Sequence, residues 1–446
     1  MKTSFPLLPA ALRMTACAAA LVLGHSIAST DGSLVRDAIS LDSVVANTAI
    51  ASLRAEGPAG LDALFAAHRT EIDSILSSPS SAKANAPEWK RLCHALDEVA
   101  QQHDDFASHL YWYTDLDAAK SAAKASGKPI LSLRLLGKLD EDFSCANSRL
   151  FRTVLYADAE VSARLRSGYI LHWESVRPAP KMTIDFGDGR KLERTITGNS
   201  IHYILDPNGI VIDALPGLYG PNAFLAALAI PSLIMQQHPE KYTPAQWLTS
   251  LHAYQRGQLE NDLQTWKAKS TALNPAPFQK AGAGKSAAPF PAAVADVRTM
   301  GKSAIERPIL RALGPVRDEL VKKTDETTWE KLAEERAPLT TLDQRSIALM
   351  RIKRLACSGD AAVETDLSPL VQNLQKSLAA DTVRNEYLFR TAILQWLVDG
   401  TAPNDLNQLN DKIYAELFLT PNSDPWLGLK PESVYSALDG EGIVAN

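Results

Sequence analysis

Apolar positions along this chain change rhythm twice. From Ser29 to His109 they recur at helical spacing, with Leu61, Leu64, Phe65, His68, Ile72 and Leu76 on one stripe. Gly57-Pro58 separates that stripe from an earlier helix carrying Val44, Val45, Ile50 and Leu53. Ser77 to Pro87 is polar and reads as a linker. A further helix is predicted from Glu88 to Ala107 through Leu92, Leu96 and Val99. Between Tyr111 and Leu228 short apolar runs replace the stripes. A helix over Asp115 to Ser126 leads through Gly127-Lys128-Pro129 into a strand, Ile130 to Leu136. Cys145-Ala146-Asn147-Ser148 opens the next helix, and Tyr169 to Val176 forms a second strand. Met182 to Phe186 and Leu192 to Ile196 alternate around Gly187-Asp188-Gly189, a hairpin signature. Ile201 to Leu205 and Ile210 to Leu215 flank a turn at Asp206-Pro207-Asn208-Gly209, and Pro221 to Leu228 closes the block as a helix. This order predicts an α/β sheet with parallel inner strands and an antiparallel end.

Helical rhythm then returns. Residues 233–272 read as a helical extension. Leu273 to Pro291 is rich in Ala, Pro and Gly and reads as a linker. Residues 293–446 form a helical C-terminal region, clearest at Ser346 to Leu355 and Tyr387 to Leu397, with Asp424 to Leu429 an irregular packed tail. The fold class is therefore a central α/β domain, residues 110–232, flanked by mainly α-helical regions, residues 29–109 and 293–446.

Composition narrows the class. The chain has 446 residues, 46% apolar and 22% charged, enough for several packed units rather than one. Net charge is −5 and no long basic block occurs, which argues against nucleic acid as a partner. Met1 to Ala28 has a secretory signal's form: Lys2 and Arg13 at the start, an apolar Met14 to Gly24, and Ser26-Ile27-Ala28 for cleavage. It implies a periplasmic or secreted protein. The apolar run is too short to span a bilayer, and no other segment could. Removing residues 1–28 leaves Cys93, Cys145 and Cys357. An odd count in an oxidising compartment leaves at least one thiol free or paired with another molecule.

Cys145 carries the candidate chemistry. A thiol at a strand-to-helix junction meets unpaired backbone N–H groups, which favour the thiolate. Asp140, Glu141 and Asp142 just upstream oppose ionisation. The competing reading is a small buried apolar side chain. Nothing in the sequence calls for a cofactor or metal. Ala281-Gly282-Ala283-Gly284-Lys285-Ser286 mimics a phosphate loop, but its first glycine would be Gln279 and no strand precedes it. His172 and His202 fall on strands expected to be neighbours, where they could tune the thiol or join it on a metal; core histidines are the commoner outcome. Arg149, Arg152, Arg177, Arg190 and Arg194 make the central block locally basic, so one of them could steady a thiolate.

Trp112, Asp115, Ala119 and Gly127-Lys128-Pro129, followed by a strand and the Cys145 helix, make residues 111–228 resemble a bacterial thioredoxin-like domain. The resemblance implies that Cys145 matches the attacking cysteine and Ser148 the resolving one. It also places Gly198-Asn199-Ser200-Ile201 where such proteins carry a cis-proline, and this stretch has no proline. A lone thiol can form a mixed disulfide that Ser148 cannot resolve. Two functions follow as expectations. One is monothiol thiol–disulfide exchange through Cys145, with a thiol-containing protein or small thiol as partner. The other is a redox-inactive binding or structural module of the cell envelope.

Overall fold

A computed structural model describes residues 32–195, 199–235, 242–273, 326–358, 366–418, 420–423 and 425. The signal-like stretch Met1 to Ala28, residues 274–291 of the linker stretch and residues 426–446 of the tail lie outside them. The chain is mixed α/β, with helices at both ends of a five-stranded mixed sheet.

Among the described residues the N-terminal region has five helices: α1 (Gly32–Asp37), α2 (Ser43–Ala55), α3 (Pro58–Ser77), α4 (Ser81–Asn85) and α5 (Pro87–Ala100). Their stripes meet in a core of Leu53, Leu61, Leu64, Ile72, Leu92, Leu96 and Val99. Gly60 lets α3 approach α2: a Cβ there would stand 2.1 Å from the Leu53 carbonyl oxygen. The predicted polar linker holds α4, which Ser80 caps by accepting from the Lys83 N–H. The last helix stops at Ala100, short of the predicted Ala107. Buried carboxylates take over the backbone there. Asp97 accepts the Asp105 N–H at 2.9 Å, and Asp105 accepts the Leu110 N–H at 2.9 Å, so the chain turns through a 3₁₀ segment, Asp105–Ala107.

The sheet begins with β1 (Trp112–Tyr113). Then come α6 (Leu116–Ser126), capped by Asp115, β2 (Ile130–Leu136), α7 (Ala146–Leu150), which continues as a wider turn through Phe151–Leu155, α8 (Ala159–Gly168) and β3 (Ile170–Arg177). The hairpin β4 (Lys181–Asp185) and β5 (Lys191–Thr195) forms a separate two-stranded sheet, followed by β6 (Ile201–Leu205), β7 (Val211–Pro216) and α9 (Pro221–Met235). The strand order is β1-β3-β2-β6-β7. The first three run parallel, while β6 is antiparallel to β2 and β7 to β6. Every residue of β2 is buried, as its unbroken apolar run requires of a central strand covered on both faces.

The C-terminal region supplies α10 (Pro244–Leu273), α11 (Glu326–Arg336), α12 (Gln344–Ser358), α13 (Ser368–Arg384), α14 (Thr391–Val398) and α15 (Leu406–Glu416). These helices form two small clusters of their own, around Trp329 and Val383 and around Ala333 and Ala379, but most of their apolar residues join the sheet's core. Leu378, Phe389, Ile393, Leu409, Ile413 and Tyr414 share one hydrophobic cluster with Leu131, Leu133, Ile204 and Ile212. The junction also carries a buried ion pair. Arg390 donates from Nε and Nη2 to the two carboxylate oxygens of Asp213 on β7, at 3.1 and 2.7 Å. Tyr254 and Asp262 of α10 complete it, the first donating to Asp213 and the second accepting from Arg390. Burial alone would lower the Arg390 guanidinium, but Asp213 and then Asp262 hold it well above the ordinary arginine value.

His172 and His202 are not neighbours, because β2 lies between β3 and β6. Each closes on a hydroxyl: His172 Nδ1 is 2.8 Å from Ser132 Oγ, and His202 Nε2 is 2.6 Å from Tyr156 Oη. Burial is the first cause that depresses each imidazole, to about 3. Both are thus neutral when folded and protonate readily when unfolded. Stability they contribute is complete above the unfolded value near 6.5 and is lost as pH falls toward about 3. Each adds a slope of about 1.4 kcal/mol per pH unit across that window. Urea unfolding between those limits should show the loss, and His202→Gln, which keeps an acceptor for Tyr156, should remove about half of this histidine slope. An unchanged slope in that variant would refute the assignment.

Candidate functional site: the Cys145 junction

Cys145 stands at the head of α7 with extended backbone, φ −61° and ψ 160°. The loop before it is closed by its own backbone. Its N–H donates to the Leu136 carbonyl at 3.1 Å, and the Gly137 N–H donates to the Arg177 carbonyl at 2.7 Å. Gly137 takes φ +74° where a Cβ would stand 3.1 Å from Ser144 Cα, so this corner needs glycine. Arg152, fully buried, ties the loop from within by donating to the carbonyls of Leu139, Glu141 and Asp142. Those donors are therefore directed at backbone rather than at the sulfur.

The thiol has two close polar neighbours. The Ser148 N–H donates to Sγ at 3.4 Å, and Ser148 Oγ lies 2.8 Å from Sγ. Structure thus brings together Cys145 and Ser148, the two residues singled out from sequence. The acidic run is directed elsewhere: Glu141 pairs with Lys138 at 3.2 Å, and Asp142 approaches His103 and Lys353 at 3.8 and 3.7 Å. Arg190 and Arg194 stay on the exposed hairpin, Arg190 paired with Asp188. Among the described residues no group of three or more His, Cys, Asp or Glu could hold a metal ion.

The C-terminal segment closes this end of the sheet. Cys145 is 0% exposed. Tyr414 of α15 donates its hydroxyl to the Asn199 carbonyl at 2.7 Å, and the Asn199 side chain donates to Thr420 Oγ1 at 3.1 Å. Arg177, at the end of β3, donates to the carbonyls of Thr420 and Pro421 at 2.8 and 3.1 Å. Thr195 of the hairpin donates to the Ser144 carbonyl at 3.0 Å. Burial first, and then the nearby Cys145, push the Tyr414 phenol well above its ordinary value. Tyr414 and Thr420 lie more than two hundred positions from Cys145, and no local pattern in the sequence joins them to it. Asn199 does fall in the stretch matched to the cis-proline loop.

Cys93 differs. It is partly exposed on α5, and burial, followed by Asp97, Asp104 and Glu71, pushes its thiol far up. Nothing is described for the Cys357 side chain. No protein family, curated protein or solved structure matches the chain.

Proposed function

We propose that this is an exported protein built on a thioredoxin-like domain, acting as a redox-inactive binding or structural module of the cell envelope. The observation that carries this reading is the complete burial of Cys145, at an end of the sheet where Tyr414 of the C-terminal segment is anchored close by. Disulfide exchange needs the attacking sulfur in line with the disulfide it cleaves, and a sulfur with no exposed surface has no such approach. The domain reading rests on the strand order β1-β3-β2-β6-β7 and on a cysteine heading the helix after β2. The envelope reading rests on the signal-like Met1 to Ala28.

Cysteine alkylation tests this. The full mature chain treated with a maleimide under native conditions is expected to leave Cys145 unmodified over hours, and denaturant should make it react at once. Peptide mapping resolves the three thiols. Rapid native modification of Cys145 would rule out the inactive module.

A second reading is monothiol exchange gated by the C-terminal segment, with a thiol-containing protein or small thiol as partner. The Ser148 N–H directed at Sγ favours it, since that donor would stabilise a thiolate once the cover lifts. Ser148 supplies no leaving thiol, so a mixed disulfide formed there would persist until a second thiol attacked it.

A further inference from the structure

A cleft of about 510 Å³ lies away from the Cys145 junction, where α3, α8 and the start of α12 meet. Phe65, Ile72, Leu76 and Phe106 supply apolar wall. The His109 ring stacks on Phe65 with centroids 3.8 Å apart and planes within 15°. The polar side carries three guanidinium groups, Arg69, Arg166 and Arg345, against the single lining carboxylate of Asp73.

None of these cations forms a salt bridge among the described residues, although Asp105 and Asp62 lie near Arg166. Arg166 donates to the Ser108 carbonyl at 2.6 Å, and Arg345 to the Ala107 carbonyl at 2.7 Å. Adjacent carbonyls therefore hold two guanidinium groups side by side without a carboxylate bridge. Burial lowers the Arg166 guanidinium and the charge of Arg345 lowers it further, while Asp105 and Asp62 oppose that in part. Arg69 is exposed and has no hydrogen-bond or ion-pair partner among the described residues, Asp73 one turn away included. His109 Nε2 is buried and lies 2.8 Å from Asp62 Oδ1, without the alignment of a hydrogen bond. In a chain of net charge −5, this is a local positive site with a ring-lined wall.

We propose that this cleft binds a small organic anion, a carboxylate or phosphate head on a compact aromatic or aliphatic body. The head would meet Arg69, Arg166 and Arg345, because guanidinium forks match carboxylate and phosphate oxygens. The body would lie against Phe65, Phe106 and the stacked His109. A cavity of about 300–1,000 Å³ is the size that small ligands use.

Ligand-observed NMR titration of the full mature chain tests this with benzoate and phenyl phosphate as probes. Saturable binding of either supports the site, and the stronger of the two identifies the head group. Benzyl alcohol and inorganic phosphate should bind at least tenfold more weakly, because each lacks one half of the recognition. Arg69→Gln removes a guanidinium with no hydrogen-bond or ion-pair partner among the described residues and should weaken the better probe about tenfold, leaving the melting temperature unchanged. Asp73→Asn removes the opposing charge and should strengthen it about threefold. Lack of saturable binding by both probes, equal binding of benzylamine, or no response to Arg69→Gln would each overturn the proposal. Binding of inorganic phosphate as strong as phenyl phosphate would remove the organic body from it.

Discussion

Replacing Tyr414 with alanine is expected to make Cys145 alkylable in the folded protein. Tyr414 is fully buried, and its hydroxyl donates to the Asn199 carbonyl beside the site. Truncating a large buried aromatic costs about 3–5 kcal/mol. Part of that loss falls on local opening of the cover, so native labelling of Cys145 should rise about a hundredfold or more. Tyr414→Phe deletes only the hydroxyl. It leaves the ring in place and the Asn199 carbonyl without this donor, costing about 1–2 kcal/mol and raising labelling about tenfold. The phenylalanine variant also guards against an alanine variant that fails to fold. Maleimide mass-tagging followed by peptide mapping reads both. If labelling of Cys145 stays at the wild-type rate in both variants while each melts lower, Tyr414 is a core residue and not part of the cover.

The second large effect is expected at Asp213. This carboxylate is 0% exposed and receives both Arg390 donors and the Tyr254 hydroxyl. Asp213→Ala leaves the buried Arg390 charge with Asp262 as its remaining salt-bridge partner among the described residues, and removing one partner of a buried pair costs about 3–5 kcal/mol. Because Asp213 lies on β7, Tyr254 and Asp262 on α10, and Arg390 just before α14, the loss should strike the junction of sheet and C-terminal helices. Chemical denaturation should show a lower midpoint, and limited proteolysis should cut the C-terminal helices before α3 and α5. A double change of Asp213 and Arg390 to similar-sized apolar residues should recover much of the loss, since the pair itself contributes little net stability. A small effect of Asp213→Ala alone would show that water already reaches the pair.

Much of the fold is legible in short-range pattern. The continuous apolar run Ile130 to Leu136 reads as a strand, and β2 is buried along its whole length at the centre of the sheet. Asp115 before an alanine-rich stretch reads as a helix start, and its side chain accepts the Ala118 N–H at 2.7 Å. The glycines at positions 187 and 189 read as a hairpin, which β4 and β5 form. The stop of α5 at Ala100 was not legible in this way. It depends on Asp97 and Asp105 being buried among backbone donors that only the packed helices bring to them.

Cys145 marks the same division. The chain by itself determines a thiol at a strand-to-helix junction, with serine three positions on, because both features depend on neighbours within one helical turn. Only the tertiary structure decides whether that thiol meets solvent. Tyr414 and Thr420 are anchored close by through Asn199, and the thiol's loop is braced by the Arg152 side chain and the Arg177 carbonyl through backbone groups that carry no residue identity. The separation of His172 from His202 by β2 was likewise decided by strand order, which adjacency in sequence does not encode. The cleft of Arg69, Arg166 and Arg345 is the extreme case. Three regions of the chain supply one arginine each, and their shared charge exists only once α3, α8 and α12 are packed together. Local pattern determines elements because hydrogen bonding and burial periodicity act over a few residues, whereas solvent access and charge proximity are properties of the assembled surface.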